Sequence, residues 1–177
     1  GNTLPDTFTC ATPLAGIAQN AEVSYSICDM VLGFIPGSIG ETSIIAIAIG
    51  ALILLWTGIA SYKTMLSVFV GGGLAAALFA VSGMSSIPWY EHLILGGFAF
   101  GAVFMATDPV TSARTEKGKW IFGFIIGALA VIIRVMNPGY PEGMMLAILF
   151  ANMFAPLIDY CVVQANISRR AKRLTHK

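Results

Sequence analysis

"GMMLAILFANMFAPLIDYCVVQA", residues 143–165, contains one charged side chain, Asp159, in 23 residues. A helix of about 20 apolar residues spans the hydrocarbon core of a bilayer, so this stretch is long enough to cross. A membrane β-strand would alternate apolar and polar residues, and the stretch does not. Four further segments read the same way: 43–60, 64–82, 92–107 and 120–135, of which 92–107 and 120–135 are short. The pattern predicts an all-α membrane protein of about five transmembrane helices, some of them short or broken.

Composition agrees. The chain of 177 residues is 56% hydrophobic and 11% charged, where a soluble domain carries roughly a quarter charged residues. Its opening, GNTLPDTFTC, lacks an initiator Met, a basic start and an apolar core, so it does not read as a signal peptide, and the chain reads as a piece of a longer or processed protein. Cys10, Cys28 and Cys161 are scattered, and His92 and His176 are the only histidines. A disulfide framework, a four-ligand zinc site, bis-histidine haem and a Ser/His/Asp set are all poorly supported.

Charge assigns topology. Residues 1–62 hold no Lys or Arg, while Arg169, Arg170, Lys172, Arg173 and Lys177 crowd the end. By the positive-inside rule the basic tail is cytoplasmic, as are the loop holding Arg114, Lys117 and Lys119 and the turn holding Lys63. The segment before the first span, with Asp6, Glu22, Asp29 and Glu41, is then outside. Arg134, at the outer end of the fourth span, is the one exception. Trp89 and Trp120 fall at predicted interfaces. The expected organisation is an outer segment 1–42, a five-helix membrane domain 43–165 and a basic cytoplasmic tail 166–177. An odd number of spans suits one half of an inverted-repeat bundle.

Three places could carry chemistry. GSIGETS, residues 37–43, leads into the first span, and Ser38, Gly40, Glu41, Thr42 and Ser43 offer hydroxyls, a carboxylate and a flexible turn beside a helix N-terminus. The ordinary alternative is a capped helix start. In FMATDPVTSAR, residues 104–114, Pro109 disfavours helix at Asp108, so the third span breaks near the membrane boundary with Thr107, Asp108, Thr111 and Ser112 around the break. A plain cytoplasmic turn accounts equally well for it. Asp159 is a carboxylate inside a span, costly there and a candidate for cation handling, unless it reaches water or a nearby base. Glycines in the spans, including Gly71, Gly72, Gly73, Gly96, Gly97, Gly123 and Gly127, read first as helix-packing surfaces and second as a bed for a flat cofactor.

The stretches PGSIGETS, PWYEHLILGGFAFGAVFMATDPVTSA, GKWIFGFIIGALAVIIRVMNPGYPEGMMLAILFANMFAPLIDYCVVQANI and DTFTCATPLA resemble the C-terminal half of the B subunits of sodium-translocating NADH:quinone oxidoreductases, a family shared with the D subunits of Rnf complexes. The resemblance covers nearly the whole chain. It implies a urea-transporter-like inverted-repeat fold in the bacterial inner membrane and a threonine esterified by the phosphate of FMN within a motif like D-x-x-S/T-G-A-T. Asp6, Thr9, Ala11 and Thr12 match that motif, with Cys10 where the family has glycine, which makes Thr12 the acceptor. It further implies attachment by a flavin transferase, electron delivery from the FMN-bearing C subunit, onward transfer to riboflavin and quinone, and outward pumping of sodium. By this resemblance the Ser38–Ser43 and Thr107–Thr111 stretches help bind flavin and Asp159 handles sodium. The competing class is half of a channel or secondary transporter for a small solute or ion, with the broken third helix lining its path.

Overall fold

The computed structural model describes residues 27–35, 37–38, 40–84, 88–137 and 142–175. Thr12 and the rest of the opening stretch lie outside these residues. The described residues are helical throughout their regular structure, in the order α1 (Ile27–Leu32), α2 (Ile44–Trp56), α3 (Tyr62–Val81), α4 (Glu91–Ile94), α5 (Phe98–Phe100), a π-helical turn (Gly101–Met105), α6 (Glu116–Met136) and α7 (Met144–Thr175).

Three of these helices, α3, α6 and α7, are long and apolar enough to cross a membrane. The other two expected spans are shorter than their apolar stretches. In the first, α2 covers 13 residues, roughly 20 Å of helix against a hydrocarbon core of about 30 Å. Its end is built into the sequence: the Thr57 hydroxyl donates back to the carbonyls of Ile53 and Leu54, and Gly58 follows at φ +71°, the left-handed stop that glycine adopts freely. In the third, the helix breaks at Gly96 (φ +52°) and Gly97 (φ +27°), restarts as α5, relaxes into the π turn and ends at Ala106, two residues ahead of Asp108 and Pro109. The break expected near Pro109 is therefore preceded by another, twelve and thirteen residues upstream at Gly97 and Gly96.

The core lies between α3 and α6, and glycine sets how closely they approach. A Cβ on Gly127 would run into the backbone of Val68 and Gly72, one on Gly123 into Thr64 and Ser67, and one on Gly71 into the backbone of Phe124. Ser67 fastens the crossing by donating to the carbonyl of Trp120. These glycines are helix contacts, as small residues are in membrane interfaces. Phe98, Phe122, Ile126 and Val131, all fully buried, fill the space between this pair, the broken segment and α7. The opposite faces of α2, α3 and α7 expose Leu52, Leu74, Leu78, Leu149 and Met153, the apolar surface that membrane helices turn to lipid or to further helices.

The charged loops segregate to two ends. Lys63 pairs with Glu116, which also holds Lys119 at 3.0 Å, so the two short connections expected on one face do share a face. At the far end of α6, Arg134 faces the broken segment, with Glu41 and Glu142 in the same neighbourhood. The last helix continues unbroken through residue 165 to Thr175, so the basic residues 169–173 extend a spanning helix.

Candidate functional site at the broken third segment

The break is held open by a residue that the sequence marked only as a topological exception. Arg134 is 6% exposed and donates to the carbonyls of His92 at 2.7 Å, Leu95 at 3.2 Å and Gly96 at 3.3 Å. His92 lies in the last turn of α4, Leu95 is its C-cap and Gly96 follows, so the guanidinium sits at the negative dipole end of α4, where helix carbonyls lack intrahelical partners; the Gly96 carbonyl also accepts from the Phe98 amide. A guanidinium with a fixed fork of donors satisfies several such carbonyls at once. Arg134 was thus legible as an anomaly, while its purpose needed the contact with residues about 40 positions away.

The loop ahead of α2 lies against the same break. Ser43 caps α2, its hydroxyl accepting from the amide of Ala46 at 3.4 Å. Glu41 accepts from the amide of Ser38 at 3.4 Å, and its second oxygen lies 2.8 Å from where a Cβ on Gly97 would stand. Gly40, at φ +90°, turns the chain beside the ring of Phe100. The expected group Ser38, Gly40, Glu41, Thr42 and Ser43 is therefore one structural unit with Gly97 and Phe100. It offers an exposed Ser38 and a carboxylate lodged against Gly97, a donor and acceptor set that suits a polar ring edge or a ribityl chain. Just behind it, Glu142 precedes α7; burial and the nearby Glu41 raise its carboxyl above the usual range, with Arg134 opposing.

The second expected group is a compact turn at the other end of the π-helical stretch. Asp108 accepts from the amides of Val110 at 3.2 Å and Thr111 at 3.3 Å and from the Thr111 hydroxyl at 2.8 Å. These bonds, the Thr111 hydroxyl first, hold its carboxyl below the usual range. Thr107 turns inward and donates to the carbonyl of Val103 at 2.6 Å. From Gly97 to Asp108 the segment advances roughly 15 Å if helical throughout, so the two groups are not brought together; the broken segment separates them.

Asp159 belongs to neither. Its Oδ2 accepts from the amide of Arg114 at 2.8 Å, and its Oδ1 from the amide and hydroxyl of Thr115 at 3.0 and 2.6 Å. Thr115 is the N-cap of α6, accepting in turn from Gly118 at 3.1 Å, and a Cβ on Gly118 would come within 2.7 Å of Asp159. The carboxylate costly inside a span is thus partnered by the start of the neighbouring helix. Among the described residues, no three His, Cys, Asp or Glu side chains gather into a metal-binding group.

Comparison with known proteins bears on this arrangement. The model of the NQR2, RnfD, RnfE family matches residues 2–168. The B subunits of Na(+)-translocating NADH-quinone reductases are similar along almost the whole chain: that of Chromohalobacter salexigens is 59% identical over 177 residues, covering 95% of this chain and 43% of its own. That of Klebsiella pneumoniae strain 342 is 52% identical over 187 residues, covering 97% and 45%. That of Yersinia pestis is 50% identical over 185 residues, again covering 97% and 45%. The chain spans less than half the length of these relatives. With the family matched from residue 2 to residue 168, from the start of the chain into α7, this chain belongs to the NQR2, RnfD, RnfE family.

Proposed function

We propose that this chain supplies the flavin-carrying membrane half of the B subunit of a sodium-translocating NADH:quinone oxidoreductase. The observation that carries the reading is identity of 50–59% over 95–97% of the chain to relatives that bear that name. In this reading Thr12 holds FMN through a phosphoester made by a flavin transferase. A phosphoester on a threonine hydroxyl keeps a cofactor from dissociating while leaving its ring some freedom to meet donor and acceptor. Bound flavin supplies the electron transfer, and the protein sets its position and access to water.

The chain's own residues have distinct parts in this scheme. Glu41 and the hydroxyls of Ser38, Thr42 and Ser43 contact the polar edge of a flavin beside the turn at Gly40. Thr107, Asp108 and Thr111 serve a second flavin site at the other end of the broken segment, where riboflavin would receive electrons on their way to quinone. Arg134 fixes the spacing of the two groups by clamping the break. Asp159 sets the start of α6 and is the candidate to couple that position to sodium export. With the basic end cytoplasmic, Thr12 faces the outside and takes electrons there from the FMN-bearing C subunit.

The test is in-gel ultraviolet fluorescence of the denatured protein, made together with its flavin transferase, beside Thr12→Ala. A fluorescent band that goes dark in the variant is expected. A dark parent band in the presence of an active transferase overturns the attachment at Thr12.

A further inference from the structure

Along the basic end of the molecule, α6 and α7 flank an open groove of about 400 Å³ with Lys117 and Arg169 among its lining residues. Its walls are Ile121 from α6 and Leu157, Ile158, Cys161 and Val162 from α7. We propose that this groove binds an anionic glycerophospholipid, its phosphate between Lys117 and Arg169 and an acyl chain along the apolar wall.

The spacing builds such a site. Lys117 and Ile121 are one turn apart on α6, while Leu157, Cys161, Ala165 and Arg169 recur every fourth residue on α7. Residues four apart share a helix face, so each helix offers an apolar strip that ends in a cation. From Leu157 to Arg169 the strip is roughly 18 Å long at 1.5 Å per residue, the length scale of an acyl chain.

Charge selects the headgroup. The nearby carboxylates are already engaged: Glu116 by Lys63 and Lys119, and Asp159 by Arg114 and Thr115. Lys117 and Arg169 have no ion-pair partner among the described residues. A zwitterionic headgroup would add its own cation to theirs, whereas an anionic one meets an uncompensated pair, and basic pockets between membrane helices are recognised lipid sites. A second groove of about 470 Å³, lined by Leu129, Ile133, Leu146, Leu149, Phe150 and Met153, has no charged residue. It is the internal comparison, since it offers an acyl chain the same kind of wall with nothing for the headgroup. An apolar helix from elsewhere in a longer protein would fill the first groove but leave both cations unanswered.

The proposal is independent of the flavin reading and is tested on the full-length protein in its assembled complex. The probes are phosphatidylglycerol and phosphatidylcholine, each with a photoreactive acyl chain, in otherwise identical nanodiscs, with labelled peptides mapped by mass spectrometry. The peptide holding residues 157–162 should take phosphatidylglycerol at least fivefold over phosphatidylcholine, while the peptide holding 146–153 takes both equally. Lys117→Gln with Arg169→Gln should bring the first ratio to about one, and Lys117→Arg with Arg169→Lys should preserve it. Equal labelling of residues 157–162 by the two lipids, a preference that survives the double glutamine variant, or a groove closed to both lipids by a cross-linked polypeptide each overturns it.

Discussion

Arg134 makes the sharpest residue-scale prediction because its three acceptors are backbone carbonyls that cannot be mutated away. Arg134→Met keeps bulk at the site but takes the guanidinium from the His92 and Leu95 carbonyls, while Gly96 keeps the Phe98 amide, and each buried polar group left unsatisfied costs about 1–3 kcal/mol. The thermal midpoint of the purified protein in detergent should fall well below that of the parent. Arg134→Lys should recover part of the loss, since a single ammonium keeps the charge without the fork. Asp159 poses a different question, whether its carboxylate serves only to hold the start of α6. Asp159→Ala removes acceptors from two amides and a hydroxyl and should destabilise by about 1–2 kcal/mol, as loss of a helix cap does. Asp159→Asn keeps an acceptor oxygen without the charge. Because both oxygens accept, the new NH2 faces a donor, and the variant should melt between the parent and Asp159→Ala. If the carboxylate also handles sodium, the assembled complex of the proposed function should need more sodium for half-maximal activity where the variant is still folded, and an unchanged sodium dependence would leave only the capping role.

At the scale of elements, the glycines divide into two kinds that sequence alone does not separate. Gly127 meets the backbone of Val68 and Gly72, which cannot retreat, whereas a Cβ on Gly73 would have only the Leu93 side chain at 3.9 Å. Gly127→Ala should therefore cost about 1–3 kcal/mol by overpacking, and Gly73→Ala should be neutral or slightly stabilising through helix propensity. Parallel thermal melts of the two variants check this, and equal effects would mean that α3 and α6 are not in close contact. Of the three long helices, α3 and α7 were legible because length and apolarity suffice to name a span, whereas α6 read as a short span over 120–135 because its first turn holds Glu116, Lys117 and Lys119. The short α2 was not legible, because its stop depends on Thr57 and Gly58 bonding back into the last turn inside an otherwise apolar run. Gly96 and Gly97 read as packing glycines, and Pro109 drew the expected break toward itself. What fixes the earlier break is Arg134 on another helix, a pairing that no local pattern encodes. The same applies to Asp159, visible as a misplaced carboxylate but explained only by donors 44 and 45 residues earlier.

At the scale of the whole molecule, the basic connections gather at one end and Glu41, Glu142 and Arg134 at the other, so the two ends should answer pH differently. Glu142 has its carboxyl raised above the ordinary value of 4.5 by burial and by Glu41, against the pull of Arg134. A group that binds its proton more tightly in the folded state stabilises the fold at low pH, and that stabilisation is lost as pH rises from the ordinary value through the raised one. Asp108 works in the opposite sense: its carboxyl is held low by Thr111 and Val110, so its contribution is present above the ordinary aspartate range and lost as pH falls through the lowered value. The two effects overlap in any single melting curve, and the difference between parent and variant isolates each. Relative to the parent, Glu142→Gln should gain thermal stability as pH rises above 4.5, then level off once the parent carboxyl is fully ionised. Glu41→Gln should narrow that window by removing the repulsion that helps raise Glu142. Thr111→Val should lose stability relative to the parent at neutral pH and converge with it in acid. Parallel curves for parent and Glu142→Gln across this range would mean that Glu142 is solvated like a free glutamate and that Glu41 and Glu142 do not lie close together in the folded protein.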